Sequence, residues 1–376
     1  MAQVACIQPT GFIPFTAINL ALTGGAIALM ESDFPKHFLN PMVVATVHLY
    51  VLGVLTLSLT GLAIRHLPEW AGSGWPKPAL HSWIVWSLLV GAWSVFLGIG
   101  TDIHRWFLLS ASAGVGVAIP IFVVQMALLL WRSRRRDGIM ALLTLATLSL
   151  TGVFLLGAMF LGEYAHGFLA HDRLALLGTH LTWGIFGWAG VILWVMRITG
   201  NTASRNAPAS GWFAGLLITW ILVPVTLFQF PDQPLWVRLA AVPGMLSWGI
   251  WTLHARHLES WHHHRYWWSA DLFGVLALLT WLLWPLWPDD RWPLLFGVLI
   301  LPGWTLSQLL GTMSALRPDA IPGNRGWLLH MLAVVLLATS LFTTSTALWQ
   351  SGGVVLMISA MVWIFSDRNL GQHSHG

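Results

Sequence analysis

The chain has 376 residues, of which 56% are hydrophobic and 9% charged, where a soluble globular protein carries about 25% charged residues. That balance excludes a soluble protein and predicts an all-α polytopic membrane protein. About 12 helices of about 20 apolar residues each would use up the chain and leave one transmembrane domain, 1–376. The formal net charge of +4 calls for no partner beyond the lipid bilayer and gives no reason to invoke nucleic acid.

The N-terminal MAQVACIQPTGF has neither a positive charge ahead of an apolar run nor a small-residue cleavage site, so no secretory signal peptide is expected. Windows of about 19 residues then give spans at roughly 12–30, 42–64, 81–101, 107–131, 139–161, 175–196, 211–230, 236–254, 268–287, 293–313, 327–346 and 348–366. Between the last two, Gln350, Ser351, Gly352 and Gly353 interrupt a run from Trp327 to Phe365 that is too long for one helix in a bilayer. A tight turn is therefore expected between Ser345 and Gly353.

An even number of spans puts both termini on one face. That face holds Arg65, Lys77, Arg132, Arg134, Arg135, Arg136, Arg197, Arg205, Arg256, Arg265, Arg317, Arg325 and Arg368, which is 13 of the 18 basic residues; Lys36, Arg105, Arg173, Arg238 and Arg291 are the other five. The positive-inside rule places the richer face, and both termini, in the cytoplasm of a bacterial-type inner membrane. The RSRRRD run at 132–137 reads as an anchor beside anionic lipid. Tryptophans gather at span ends, at Trp70 and Trp75, at Trp261, Trp267 and Trp268, and at Trp284, Trp287 and Trp292, as interfacial belts do.

A single cysteine, Cys6, excludes an internal disulfide, a Cys-x-x-Cys pair, a thiolate-held iron–sulfur cluster and a two-cysteine copper centre. Metal chemistry would fall to the 16 histidines, and an ionisable side chain within a span is a functional candidate by default. His48 lies about seven residues into span 2 and His180 about six into span 6. Both spans run inward, so both rings sit roughly 10 Å below the outer ends of their helices. His-Leu is followed by Gly53 in span 2 and by Gly184 and Gly187 in span 6, and glycine below a histidine lets another helix or a flat ligand approach closely. His81, His254 and His330 lie at the ends of spans 3, 8 and 11, where a ring reaches water.

Spans 2, 6 and 10 are evenly separated. In span 10, WPLLFGVLILPGW, Trp292 takes the histidine's register and Gly297 follows five residues on, as Gly53 follows His48. The spacing is compatible with three four-helix quasi-repeats, 1–135, 136–260 and 261–376, although no longer identity accompanies it.

Twelve spans with both termini inside, with His-Leu-x-x-x-Gly from His48 and His-Leu-x-x-Gly-x-x-Gly-Trp from His180, resemble the haem-copper oxidase subunit I superfamily. The closer likeness is to its NnrS-type relatives, membrane proteins linked to nitric oxide metabolism. The resemblance covers the chain in topology and is specific around 47–60 and 179–190. It implies a span 2 histidine on haem, hence His48, and a span 6 histidine on copper, hence His180. The cofactor would be haem b or copper, with a role in electron transfer, in metal or haem handling, or in nitric oxide response. A respiratory redox protein or another membrane subunit would be the partner. Span 10 lacks the histidine pair and span 7 the His-His of the oxidases, so the chain departs from a usual oxygen- or nitric-oxide-reducing catalytic subunit.

Two other readings stand beside this one. The same histidines would line a path in a permease for a metal ion or small solute, with Pro120 and Pro224 as candidate breaks in spans 4 and 7. In a cofactor-free assembly factor or partner subunit they would only pack. Outside the spans, HARHLESWHHHRYWW carries His254, His257, His262, His263 and His264, a candidate zinc or copper cluster with Glu259. EYAHGFLAHDR carries Glu163, His166, His171 and Asp172 above the outer ends of spans 5 and 6, where they would cap or feed the His180 region. The terminal His373 and His375 read as a frayed tail.

Overall fold

The computed structural model describes residues 12–30, 39–100, 105–135, 137–166, 173–199, 264–286, 291–316 and 324–368. Ten helices account for these segments: α1 Ile13–Ala28, α2 Pro41–Ala71, α3 His81–Gly100, α4 Arg105–Arg132, α5 Gly138–His166, α6 173–199, α7 His264–Leu283, α8 291–316, α9 Asn324–Thr343 and α10 Thr346–Arg368. Nine of them are long and apolar enough to cross a membrane, and α1 is a shorter apolar helix of 16 residues. Helices α1–α6 answer to the first six expected spans and α7–α10 to the last four. Expected spans 7 and 8 lie outside the described residues, so a full count of twelve is not established.

Local chemistry explains the helix ends. Asn40 accepts from Met42 N at 2.9 Å and precedes Pro41, an N-cap with proline at the first helical position. Asp137 Oδ1 accepts from Met140 N at 3.1 Å to open α5, and Ser345 Oγ accepts from Leu348 N at 3.3 Å to open α10. The carboxyl end of α2 is closed by Ser133 Oγ donating to Ala71 O at 2.7 Å and Arg135 Nη1 donating to Trp70 O at 2.9 Å, a cation where the helix dipole favours one. Within the helices, Thr46, Thr144, Thr147, Thr182 and Thr280 each donate to the carbonyl four residues back, which satisfies a hydroxyl that lipid cannot.

Three helices depart from α geometry. Residues Val51–Thr56 of α2, Trp183–Gly190 of α6 and Leu299–Thr305 of α8 are π-helical. A π turn is rare and shifts the hydrogen-bond register by one residue. By contrast α4 runs unbroken through Pro120, so the break expected there does not occur; Pro224 lies outside the described residues, among which the π segments lie in α2, α6 and α8.

The described helices fall into two compact units. The first holds Leu59–Ser94 with α4, α5 and α6; the second holds α1, α2 as far as Ser58, α3 from Val95, and α7–α10. In the first, α5 packs along α4 and against the π segment of α6. There Gly91 of α3 and Gly114 of α4 meet so closely that a Cβ on Gly114 would lie 2.8 Å from Gly91 Cα. In the second, α1 packs on α10, α9 on α10, and α7 on the π segment of α8.

The second unit also settles the end of the chain. The turn between α9 and α10 falls at Thr344 and Ser345, where Thr344 has φ 52°, while Gly352 and Gly353 sit inside α10. A Cβ on Gly353 would lie 2.7 Å from Ala28 N, and one on Gly24 would lie 2.6 Å from Met357 N. These glycines bring two backbones into contact and do not end a helix.

Exposed apolar side chains mark the lipid face. On α3 Trp83, Trp86, Val90 and Trp93 form one exposed stripe. On α4 the exposed Trp106 and Trp131 are separated by about 38 Å along the axis at 1.5 Å per residue, close to the distance between the two interfaces of a bilayer. Of the tryptophans read as belts, Trp268 is exposed, whereas Trp70 and Trp267 are buried in protein.

Candidate functional site

His48 and His180 are both half-buried and both stand three residues ahead of a π segment, which begins at Val51 in α2 and at Trp183 in α6. Nδ1 of His48 lies 2.8 Å from Val44 O, one turn back in its own helix. Nδ1 of His180 lies 3.1 Å from Val153 O, on the neighbouring α5. A carbonyl oxygen only accepts, so in each ring Nδ1 carries the hydrogen and, in the neutral imidazole, Nε2 carries the lone pair. Two different scaffolds therefore fix one tautomer.

The cradle of His180 comes from one face of α5. Val153 supplies the carbonyl, Gly157 is so close that a Cβ would lie 3.3 Å from His180 Cε1, and the Phe160 ring meets the imidazole edge-on at 5.8 Å and 89°. These residues are four and three positions apart, the spacing of a single helical face. Glu163, one turn beyond Phe160, is buried. His48 belongs to the second compact unit and His180 to the first.

The gap expected beside the span 2 histidine is closed. A Cβ on Gly53 would lie 2.9 Å from Asn19 Cγ, and Asn19 Nδ2 donates to Gly53 O at 2.9 Å. That glycine admits a neighbouring side chain, not a flat ligand. A Cβ on Gly184 would stand in ordinary contact with Val153 Cγ2, at 3.7 Å.

Span 10 also has a different register from the one expected. Its π segment begins at Leu299, so alignment on the π segments puts Phe296, not Trp292, in the position of His48 and His180. Gly187-Trp188 and Gly303-Trp304 then coincide.

The other histidines divide. His330 is fully buried, with Nε2 2.8 Å from Ser307 Oγ, and His81 is buried with its ring edge-on to Trp75 at 5.2 Å, so neither reaches water as expected. His171, His254, His257, His262 and His263 lie outside the described residues. His166 ends α5 and His264 opens α7, and their side chains lie outside the description as well. Among the described residues no group of three or more His, Cys, Asp or Glu side chains is placed to hold a metal ion. Among the described residues, each deep histidine supplies one imidazole donor. One imidazole suffices as an axial ligand of haem, whereas copper takes further ligands.

Sequence reasoning found the two histidines but not their partners, because Val44 O and Val153 O are backbone atoms that no residue pattern marks. The apolar helices and their exposed tryptophan-rich faces define a multi-pass α-helical membrane protein in a lipid bilayer. Compared with known proteins, the chain matches no protein-family model and no curated protein.

Proposed function

We propose that this is a metal-cofactor protein of a bacterial-type inner membrane, holding haem b, or copper with additional ligands, through Nε2 of His48 and of His180. It works in electron transfer, metal or haem handling, or nitric oxide response. The observation that carries the reading is the shared arrangement of the two rings: the same tautomer, pinned by a carbonyl, three residues before a π segment. Histidines that ligate metals commonly use one ring nitrogen in this way to orient the other, and π turns concentrate at functional sites.

When bound, such a group supplies reversible one-electron transfer. The chain's own part is to orient the two rings. Val153, Gly157 and Phe160 hold the His180 ring against one face of α5, and Val44 O fixes the rotation of His48. A respiratory redox protein or another membrane subunit is the partner such a carrier requires. The 13-to-5 division of basic residues supports cytoplasmic termini, which puts both histidines in the outer leaflet.

The same reading includes three quasi-repeats, 1–135, 136–260 and 261–376. It is supported by α1 packing on the π segment of α2, α5 on that of α6, and α7 on that of α8. In the third repeat Phe296 replaces the ligand.

The test is a reduced-minus-oxidised visible spectrum of the purified protein with metal analysis on the same sample, for wild type, His48→Ala and His180→Ala. A haem band or stoichiometric copper, reduced in each variant, is expected. A colourless, metal-free and well-folded wild type would overturn the reading in favour of a permease or a cofactor-free partner subunit.

A further inference from the structure

Helix α8 is the most enclosed of the described spans: 83% of its apolar stretch is buried, against 39–61% in the others. It also carries a line of polar side chains along one face. Thr305, Gln308 and Thr312 are three and four residues apart, and they are 0%, 4% and 2% exposed. Tyr50 of α2 joins the line at its upper end, where its hydroxyl donates to Leu301 O at 2.9 Å and lies 3.0 Å from Thr305 Oγ1. One and two turns further along, Gln308 Oε1 and Thr312 Oγ1 are buried and have no hydrogen-bond partner among the described residues.

Buried polar atoms are nearly always paired, and the exceptions call for water, an ion or a working role. Leucine at 308 and valine at 312 would pack a dry interior without that cost. The line carries hydroxyl and amide groups one turn apart and no charged side chain, which matches a file of water molecules along which a proton passes from one to the next. Thr312 stands close to Ala315, where the apolar stretch of α8 ends, and the line rises about 10 Å to Thr305 at 1.5 Å per residue. Beyond it α8 continues with Leu294, Leu295, Val298, Leu299 and Ile300, all apolar and buried. The polar line therefore starts near one end of the span and stops at Tyr50.

We propose that the Thr305–Gln308–Thr312 face of α8 is a hydrated half-channel that brings water and protons from the Ala315 end of the span to Tyr50. Each water or hydroxyl along it takes up one proton and releases another, so nothing is consumed, and the Gln308 oxygen orients the file as an acceptor. The half-channel stands apart from the histidine reading and does not need a cofactor.

The test is cysteine accessibility in the full chain with Cys6→Ala as background. A thiol reacts with a small charged methanethiosulfonate reagent only as the thiolate, which forms where water reaches it. Thr312→Cys and Gln308→Cys are expected to react at least tenfold faster than Leu309→Cys, which is equally buried on an adjoining face. Adding Gln308→Leu to Thr312→Cys is expected to slow labelling at 312. Thr312→Cys is nearly isosteric and reports even where a change at 308 prevents folding. Thr312→Cys as unreactive as Leu309→Cys would overturn the half-channel.

Discussion

Asn19 on α1 and Gly53 on α2 are locked together: the asparagine amide donates to the glycine carbonyl at 2.9 Å, at a point where a Cβ on Gly53 would strike Asn19 Cγ at 2.9 Å. Gly53 O belongs to the π segment Val51–Thr56, where the shifted register disturbs the backbone pairing of an α-helix. Lipid offers no donor, so a neighbouring helix supplies one. Tyr50 does the same for Leu301 O in the π segment of α8.

This lock makes the first prediction. Asn19→Ala is expected to cost about 1–3 kcal/mol through a buried unsatisfied carbonyl, and Gly53→Ala about 1–3 kcal/mol through overpacking. Because the two share one contact, Asn19→Ala with Gly53→Ala is expected to cost less than the sum. Thermal denaturation of the four proteins in one detergent measures this, and strict additivity would show that the contact carries no energy.

The crossing of α1 and α10 gives a second prediction with an internal control. A Cβ on Gly24 would meet backbone atoms of Gly353 and Met357 at 2.7 and 2.6 Å, and backbone cannot yield as a side chain can. Gly24→Ala is expected to destabilise by about 2–3 kcal/mol. Gly25→Ala, whose nearest neighbour would be Met357 Sδ at 3.9 Å, is expected to be within about 0.5 kcal/mol of wild type. Comparable melting temperatures for the two variants would refute the close crossing.

At Tyr50 the structure predicts a small effect. Tyr50→Phe removes the phenol's bonds to Leu301 O and Thr305, yet Thr305 Oγ1 keeps its own bond to Leu301 O at 2.6 Å. With the carbonyl still satisfied, the loss is expected near 1 kcal/mol. Tyr50→Phe with Thr305→Val is expected to cost more than the two single changes together, as read by thermal melting of the set.

The cradle of His180 yields a prediction that separates packing from ligation. Gly157→Ala places a methyl 3.3 Å from His180 Cε1, so the ring must give by a few tenths of an ångström. If His180 holds a cofactor, Gly157→Ala is expected to retain it with a shifted absorption band or potential, whereas His180→Ala loses it. A Gly157→Ala spectrum identical to that of wild type would show that the cofactor is held elsewhere.

Much of the architecture was legible in the chain because hydropathy is local: twenty apolar residues in a row have to be buried in lipid wherever they occur. Ten of the expected spans fall on described helices for that reason, and His48 and His180 stood out because an imidazole within an apolar run is costly without a purpose. Contacts between spans were not legible. The Gln350–Gly353 stretch reads as an interruption, since glycine and polar residues commonly end helices; in the structure its glycines are packing surfaces for Leu337 and α1, and the turn lies at Thr344.

The sequence by itself thus determined that the chain is a multi-pass helical membrane protein, and it singled out two deep histidines. Tertiary structure decided the rest: that π segments follow both histidines and recur in α8, that Val44 O and Val153 O set their tautomer, and that Asn19 fills the space beside Gly53. The physical reason is one of range. Partition into lipid is summed residue by residue along the chain, whereas a hydrogen bond to a backbone carbonyl or a glycine crossing depends on which helix stands alongside.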